Sequence, residues 1–213
     1  MKERIIKYKG KDILVYFSVD RCTHVAECVR GLPNVFAPSR RPWILPDLAE
    51  AERVAEVILR CPTGALHFKR RDGGWEESPP KQNEIAVAFH GPLYIRGNLH
   101  LFSSDGNVLL EDTRIALCRC GQSKNMPLCD GTHSHADFRD PGNISPQKGG
   151  SPAPIGEKNT LKITVEPNGP YGVSGSFILK NNKGQVGFQG TRTAFCSCGK
   201  SQNKPFCDGS HAR

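Results

Sequence analysis

The chain has 213 residues, with 29 Lys plus Arg against 21 Asp plus Glu and a formal charge of +8. That length suits one large or two small domains, and the lack of any run of about eighteen apolar residues excludes a transmembrane helix. Nine cysteines, an odd number with no export signal, argue against a disulfide framework.

The opening stretch, "MKERIIKYKGKDILVYF", has a basic flank, but charges interrupt its apolar part. It reads as a strand pair rather than a signal peptide, and the expected location is the cytoplasm. "DILVYFSV" is β-branched and aromatic, hence a strand. "THVAECVRGLP" predicts a short helix closed by Gly31 and Pro33. "DLAEAERVAEVILRCP" predicts an amphipathic helix that Asp47 caps, with Leu48, Val54, Val57 and Ile58 on its buried face and Pro62 as its stop. "GALHFKRR" returns as a strand. The expected order over residues 1–75 is strand, helix, short strand, helix, strand.

Residues 72–83, "DGGWEESPPKQN", have linker composition. "EIAVAF", "LYIRGNLHLF" and "NVLL" follow as strands, with turns at His90-Gly91-Pro92 and Ser104-Asp105-Gly106. Residues 139–158 are rich in Pro and Gly and predict an irregular linker. The segments 84–138 and 159–213 are copies of one unit. A constant offset of 78 relates Gly91-Pro92 to Gly169-Pro170, Gly97 to Gly175, Gly106 to Gly184 and Thr113-Arg114 to Thr191-Arg192. The recurring Thr-Arg pairs are expected to pack between the copies. A unit of about fifty residues cannot bury a sufficient core alone. The two copies are therefore expected to pair as an intrachain pseudo-dimer within a monomer.

The same offset joins Cys118, Cys120, Cys129 and His133 to Cys196, Cys198, Cys207 and His211. Each set reads C-x-C-x8-C-x3-H, three thiols and one imidazole, enough for a four-coordinate site. Metal bonds offset the entropy of ordering the last residues of the sequence. Three Cys and one His also suit structural zinc, whose paired cysteines favour two to four intervening residues. Here only one intervenes.

"CRCGQSKNMPLCDGTH" and "CSCGKSQNKPFCDGSH" resemble the CDGSH iron–sulfur domain of mitoNEET-type proteins. The resemblance implies one 2Fe–2S cluster per repeat, held by three Cys and one His beneath a β-rich cap. No membrane anchor is expected in this sequence, so the membrane tethering of the mitochondrial members is not carried over. One imidazole in place of a thiolate removes one negative charge and raises the reduction potential. It also makes the site sensitive to acid, because a protonated imidazole nitrogen cannot bind metal. Asp130 and Asp208 follow ligating cysteines and are expected to cap a local turn or to accept hydrogen bonds beside the ligands.

In the first segment Cys22, Cys28 and Cys61-Pro62 resemble a divergent mono-cluster ferredoxin domain of the kind fused to CDGSH repeats. The implied class is α+β, a ferredoxin-like βαββα(β) domain ahead of two CDGSH repeats. The middle ligand position of that pattern is Val25, which cannot bind iron. Three cysteines fit a 3Fe–4S cluster, whereas a 4Fe–4S cluster needs His24, Glu27 or water as well. His67, His90, His100 and His135 read as structural, and Arg40-Arg41 and Lys69-Arg70-Arg71 as solvated surface.

Aromatic residues do not alternate with the basic ones, which argues against nucleic acid. The charge suits an acidic redox or cluster-acceptor protein. No catalytic triad, phosphate loop or flavin fingerprint occurs, so an enzyme is not expected. The expected function is one-electron transfer, or storage and delivery of 2Fe–2S clusters. The rival reading is a zinc-stabilised interaction or nucleic-acid-binding module.

Overall fold

A computed structural model of the chain describes residues 3–144 and 160–212. Two compact units divide it, Lys2–Ser78 and Pro79–Arg213. Among the described residues no helix is long and apolar enough to cross a membrane.

The first unit contains strands β1 (Ile5–Lys9) and β2 (Ile13–Ser18), helices α1 (Glu27–Gly31) and α2 (Ala51–Ile58), and strand β3 (Leu66–Arg70). Its sheet is antiparallel with order β1-β2-β3. Alternation along β2 buries Ile13, Val15 and Phe17, and α2 lays Val54, Ala55, Val57 and Ile58 into the same core.

Several expectations change here. The observed order is ββααβ, not βαββα(β): between the helices only the isolated bridge Phe36–Ile44 forms. Asp47 does not cap α2. It lies in the 3-10 turn Pro46–Leu48, where its carboxylate accepts a hydrogen bond from the Lys11 amide at 2.7 Å, and Glu50 takes the N-cap place. The turn between β1 and β2 thus competes successfully for that carboxylate. Leu48, displaced onto this turn, is 52% exposed. The stretch after β3 is not wholly linker. Trp75 stands edge-on to Phe68 at 5.3 Å, and Glu77 is 2.9 Å from His67 Nδ1.

The second unit is built from β4 (Glu84–Val87), β5 (Leu93–Ser103), β6 (Val108–Leu117), β7 (Leu161–Val165), β8 (Tyr171–Lys180) and β9 (Val186–Phe195). All six share one sheet, so strands of both repeats hydrogen-bond to one another. Within each repeat neighbours are antiparallel, and between repeats they are parallel: β4 with β8, and β7 with β5. The two parallel pairings follow the duplication. Glu84 faces Ile178, and the residues related to them by the offset, Lys162 and His100, also face each other. The register of β5 shifts between Arg96 and Leu99, and that of β8 between Ser174 and Phe177. Matched glycines lie within both irregularities. A Cβ on Gly97 would lie 2.1 Å from Asn83 Oδ1, and that side chain is engaged, its amide donating to Ser176 O at 2.9 Å.

One apolar core runs through both repeats and includes Leu93, Leu117 and Leu128 of the first and Tyr171, Phe177, Phe195 and Phe206 of the second. The Thr-Arg pairs differ between copies, since Arg114 is buried and Arg192 is exposed. Most of the expected linker 139–158 lies outside the described residues. Its first part is packed: Asp140 is only 4% exposed.

Candidate metal centres

In each repeat the last strand leads into a C-x-C turn, and a loop then brings the third cysteine back beside it. Cys118 N donates to Pro127 O at 2.9 Å, and Cys129 N to Ala116 O at 2.8 Å. Cys196 N with Pro205 O and Cys207 N with Ala194 O repeat both bonds at 2.9 Å. Ser123 Oγ donates to Leu128 O at 2.6 Å, and Ser201 Oγ to Phe206 O at 2.7 Å. These bonds explain why the serine and the spacing recur.

The aspartates tie the loop to the turn that follows it. Asp130 accepts from the amides of Lys124 at 2.8 Å and Thr132 at 2.9 Å, which joins the loop to the 3-10 turn Thr132–Ser134. Asp208 accepts from Gln202 at 2.8 Å and Ser210 at 3.0 Å in the same way. Burial pushes the Asp130 carboxyl up, but the Thr132 hydroxyl and the Thr132 and Lys124 amides together outweigh it and hold it below the usual carboxylate range, and the Ser210 hydroxyl, followed by the amides, holds Asp208 below it as well. That turn aims the histidine back at the third cysteine: His133 Nδ1 is 3.3 Å from Cys129 Sγ, and His211 Nδ1 is 3.3 Å from Cys207 Sγ. Gly131 and Gly209 amides point at those sulfurs, each at 3.4 Å.

The donors therefore come in pairs, since Cys118 and Cys120 sulfurs are 3.6 Å apart and Cys196 and Cys198 sulfurs 3.7 Å apart. Each separation is close to one edge of a tetrahedron about a metal with bonds of ~2.3 Å. Among the described residues no three or more Cys, His, Asp or Glu side chains are arranged to hold a single metal ion. Within each pair, the two donors are spaced as two ligands of one metal are. The nine cysteines are all thiols.

The two centres adjoin one another. Gly121 and Gly199 have φ of 73° and 78°. A Cβ on Gly121 would lie 2.8 Å from Cys198 O, and one on Gly199 would lie 3.0 Å from Cys120 O. Buried Tyr171 reaches from the second repeat to Pro127 O of the first at 3.2 Å.

The centres are not alike in burial or charge. Cys118, Cys120 and Cys129 are buried, whereas in the second set only Cys196 is, and Cys198 and Cys207 are partly exposed. Arg119 stands where the second copy has Ser197. It is 2% exposed and donates to Gly91 O at 2.8 Å, Ala88 O at 2.6 Å and Asp140 Oδ2 at 2.8 Å. Ser197 keeps one of these bonds, to Gly169 O at 2.6 Å. Burial and the Arg119 charge push the His133 imidazole below its ordinary range. Sequence reasoning missed Arg119 and Tyr171, although "CRC" against "CSC" marked the first as a difference inside a matched motif.

A third group lies in the first unit. Cys22 follows the turn after β2, Cys28 sits in α1 and Cys61 follows α2. All three line one pocket of about 340 Å³, its open mouth included, together with His24, Val25 and Glu27. Buried Arg21, also missed from sequence, donates to Thr63 O at 3.0 Å and so ties the Cys22 segment to the Cys61 segment. Cys28 is pushed up to about 11, first by burial and then by the neighbouring Cys61. Cys22 is raised for the same two reasons, burial first. Thiols that oppose one another's ionisation need a positive charge to become thiolates together. Thr23 also lines the pocket, and its buried hydroxyl has no hydrogen-bond partner. The donor set and the orphaned hydroxyl fit an iron–sulfur cluster. Of the other predicted histidines, His90 bonds the Asp140 backbone and His100 lies 3.4 Å from Glu111, both structural roles.

Comparison with known proteins agrees with this division. Residues 8–71 match a family described as divergent 4Fe–4S mono-cluster, and residues 90–134 and 168–212 each match the iron-binding zinc finger CDGSH type. Over 64 residues the chain is 42% identical to the uncharacterized protein YjdI of Escherichia coli K12, covering 30% of this chain and 84% of that protein. YjdI of Escherichia coli O157:H7 matches to the same extent. No solved structure matches.

Proposed function

This chain belongs to the CDGSH-type iron-binding family, with a divergent 4Fe–4S mono-cluster domain ahead of two repeats, and on that premise we propose that it carries electrons between iron–sulfur clusters. The observation that carries the reading is the repeated pairing of donors, two thiols on one side and a thiol with an imidazole on the other. Cys118, Cys120, Cys129 and His133 would hold one 2Fe–2S cluster, and Cys196, Cys198, Cys207 and His211 another. Cys22, Cys28 and Cys61 would hold a third, of three or four irons. Each cluster, when bound, takes up and returns one electron.

The protein supplies positions, amide dipoles and cover. Gly131 and Gly209 amides stabilise negative charge on the sulfurs they face. The contact of Gly121 with Cys198 and of Gly199 with Cys120 brings the repeat centres side by side, as internal electron exchange requires. The offset-related strand pairing supports an internal pseudo-dimer that works as a monomer. A net charge of +8 suits an acidic redox protein as partner, and neither nucleic acid nor a membrane is needed. We assign no catalytic residue.

Cluster storage and delivery is the second reading, favoured by the partial exposure of Cys198 and Cys207. Spectroelectrochemical titration separates the two. An electron carrier reduces and reoxidises reversibly with its visible bands restored. Loss of those bands on reduction, with cluster appearing in an added apo-ferredoxin, would replace electron carriage by delivery.

A further inference from the structure

The two repeats fill one corner of their centres differently. In the first, Arg119 Nε donates to Gly91 O at 2.8 Å and Nη2 to Ala88 O at 2.6 Å. Ala88 O also accepts from Gly91 N at 3.2 Å, so both of its lone pairs are used. The second repeat builds the same loop. Asn168 repeats the left-handed backbone of His90, with φ 54° against 49°. Gly169 N donates to Glu166 O at 3.0 Å, as Gly91 N does to Ala88 O. Ser197 Oγ takes the bond to Gly169 O at 2.6 Å, in the place of Arg119 Nε. That short side chain ends there. Beyond it lies a pocket of about 370 Å³, lined by Glu166, Gly169, Ser197, Cys198 and His211.

The pocket offers what Arg119 meets in the first repeat. Glu166 O corresponds to Ala88 O by the offset and lacks the arginine donor. Arg119 also bonds the Asp140 carboxylate, and here exposed Glu166 brings a carboxylate to the pocket. Met126, Pro127 and Pro167 add an apolar wall, which suits a methylene stem. An ammonium ion carries the charge but lacks the planar fork that bonds two fixed acceptors.

We propose that this pocket receives an arginine side chain of a redox partner, which docks the partner against the more exposed centre, that of Cys198 and Cys207. This rests on the electron-carrier reading, and it adds one arginine to the docking face of a partner whose overall charge is negative.

The test titrates the full chain, as purified, with N-acetyl-L-arginine amide and with N-acetyl-L-lysine amide, which has the same charge. Saturation-transfer NMR of each probe reads the binding. The arginine probe should bind saturably and about tenfold more tightly than the lysine probe. Glu166→Gln should weaken it about two- to fivefold. Ser197→Arg fills the pocket from within and should abolish it. Equal binding of the two probes, or no saturable binding of either, would overturn the proposal. Undiminished binding in Ser197→Arg would do the same, or in Glu166→Gln if that variant alone folds. Free L-arginine binding about tenfold more tightly than the capped probe would make this a site for the free amino acid and refute the partner. The readout does not involve iron, so it can fail while iron and sulfide analysis still supports the clusters.

Discussion

Replacing Arg119 by alanine is expected to destabilise the second unit by about 3–5 kcal/mol, because it strands a buried carboxylate. Arg119 and Asp140 are 2% and 4% exposed and 2.8 Å apart. Burial alone disfavours the guanidinium charge and lowers its proton affinity, and Asp140 works against that. Truncation also leaves Gly91 O and Ala88 O without this donor. Most of the loss should come from the unpaired charge, so removing Asp140 as well should recover a large part of it. Urea unfolding of Arg119→Ala, Asp140→Ala and the double variant measures this. The matching variant Ser197→Ala removes one neutral hydrogen bond and should cost only about 1 kcal/mol. A loss below about 1 kcal/mol for Arg119→Ala would show that the pair does not hold the first repeat together.

Mild acid is expected to remove the second repeat's cluster first. Cys198 and Cys207 are partly exposed where Cys120 and Cys129 are buried, so water and protons reach the second centre more easily. The first centre is protected further. Burial, then the Arg119 charge, depresses the His133 proton affinity. A depressed imidazole stays neutral at and above about pH 6.5, the free histidine value, and protonates only as pH falls below it. The stability it contributes is therefore complete above that pH and is lost on the acid side. Since a proton competes with metal for the nitrogen, His133 should hold its ligand role to lower pH than a free imidazole would. Visible absorbance at pH 6 should decay in two phases. His211→Cys should abolish the faster one and lower that cluster's potential, because a thiolate adds a negative charge. His133→Cys should leave the faster phase intact. A faster phase that survives in His211→Cys would mean that His211 is not the labile ligand.

What the sequence revealed was mainly periodic or covalent in origin. The 78-residue offset and the three cysteine triplets could be counted, and the alternation in β2 and the apolar face of α2 announced their buried sides. Asp47 misled, because an acidic residue just before an apolar helix has the same signature whether it caps that helix or a turn 36 residues away. Arg21 and Arg119 stayed hidden for a related reason. A basic residue reads as surface until its partners are known, and Thr63 and Asp140 lie 42 and 21 residues further on. Val25 was set aside on the chemistry of its side chain alone, and only the folded loop shows Glu27 paired with Arg30 and His24 4.0 Å from Cys22.

Iron, acid-labile sulfide and zinc analysis of the full chain, purified without oxygen, tests most directly whether these centres are iron–sulfur sites. A red-brown protein with about seven or eight irons, about eight sulfides and no stoichiometric zinc per chain is the expected result, for two 2Fe–2S clusters and one of three or four irons. A colourless protein with about one zinc per repeat and no labile sulfide would contradict it.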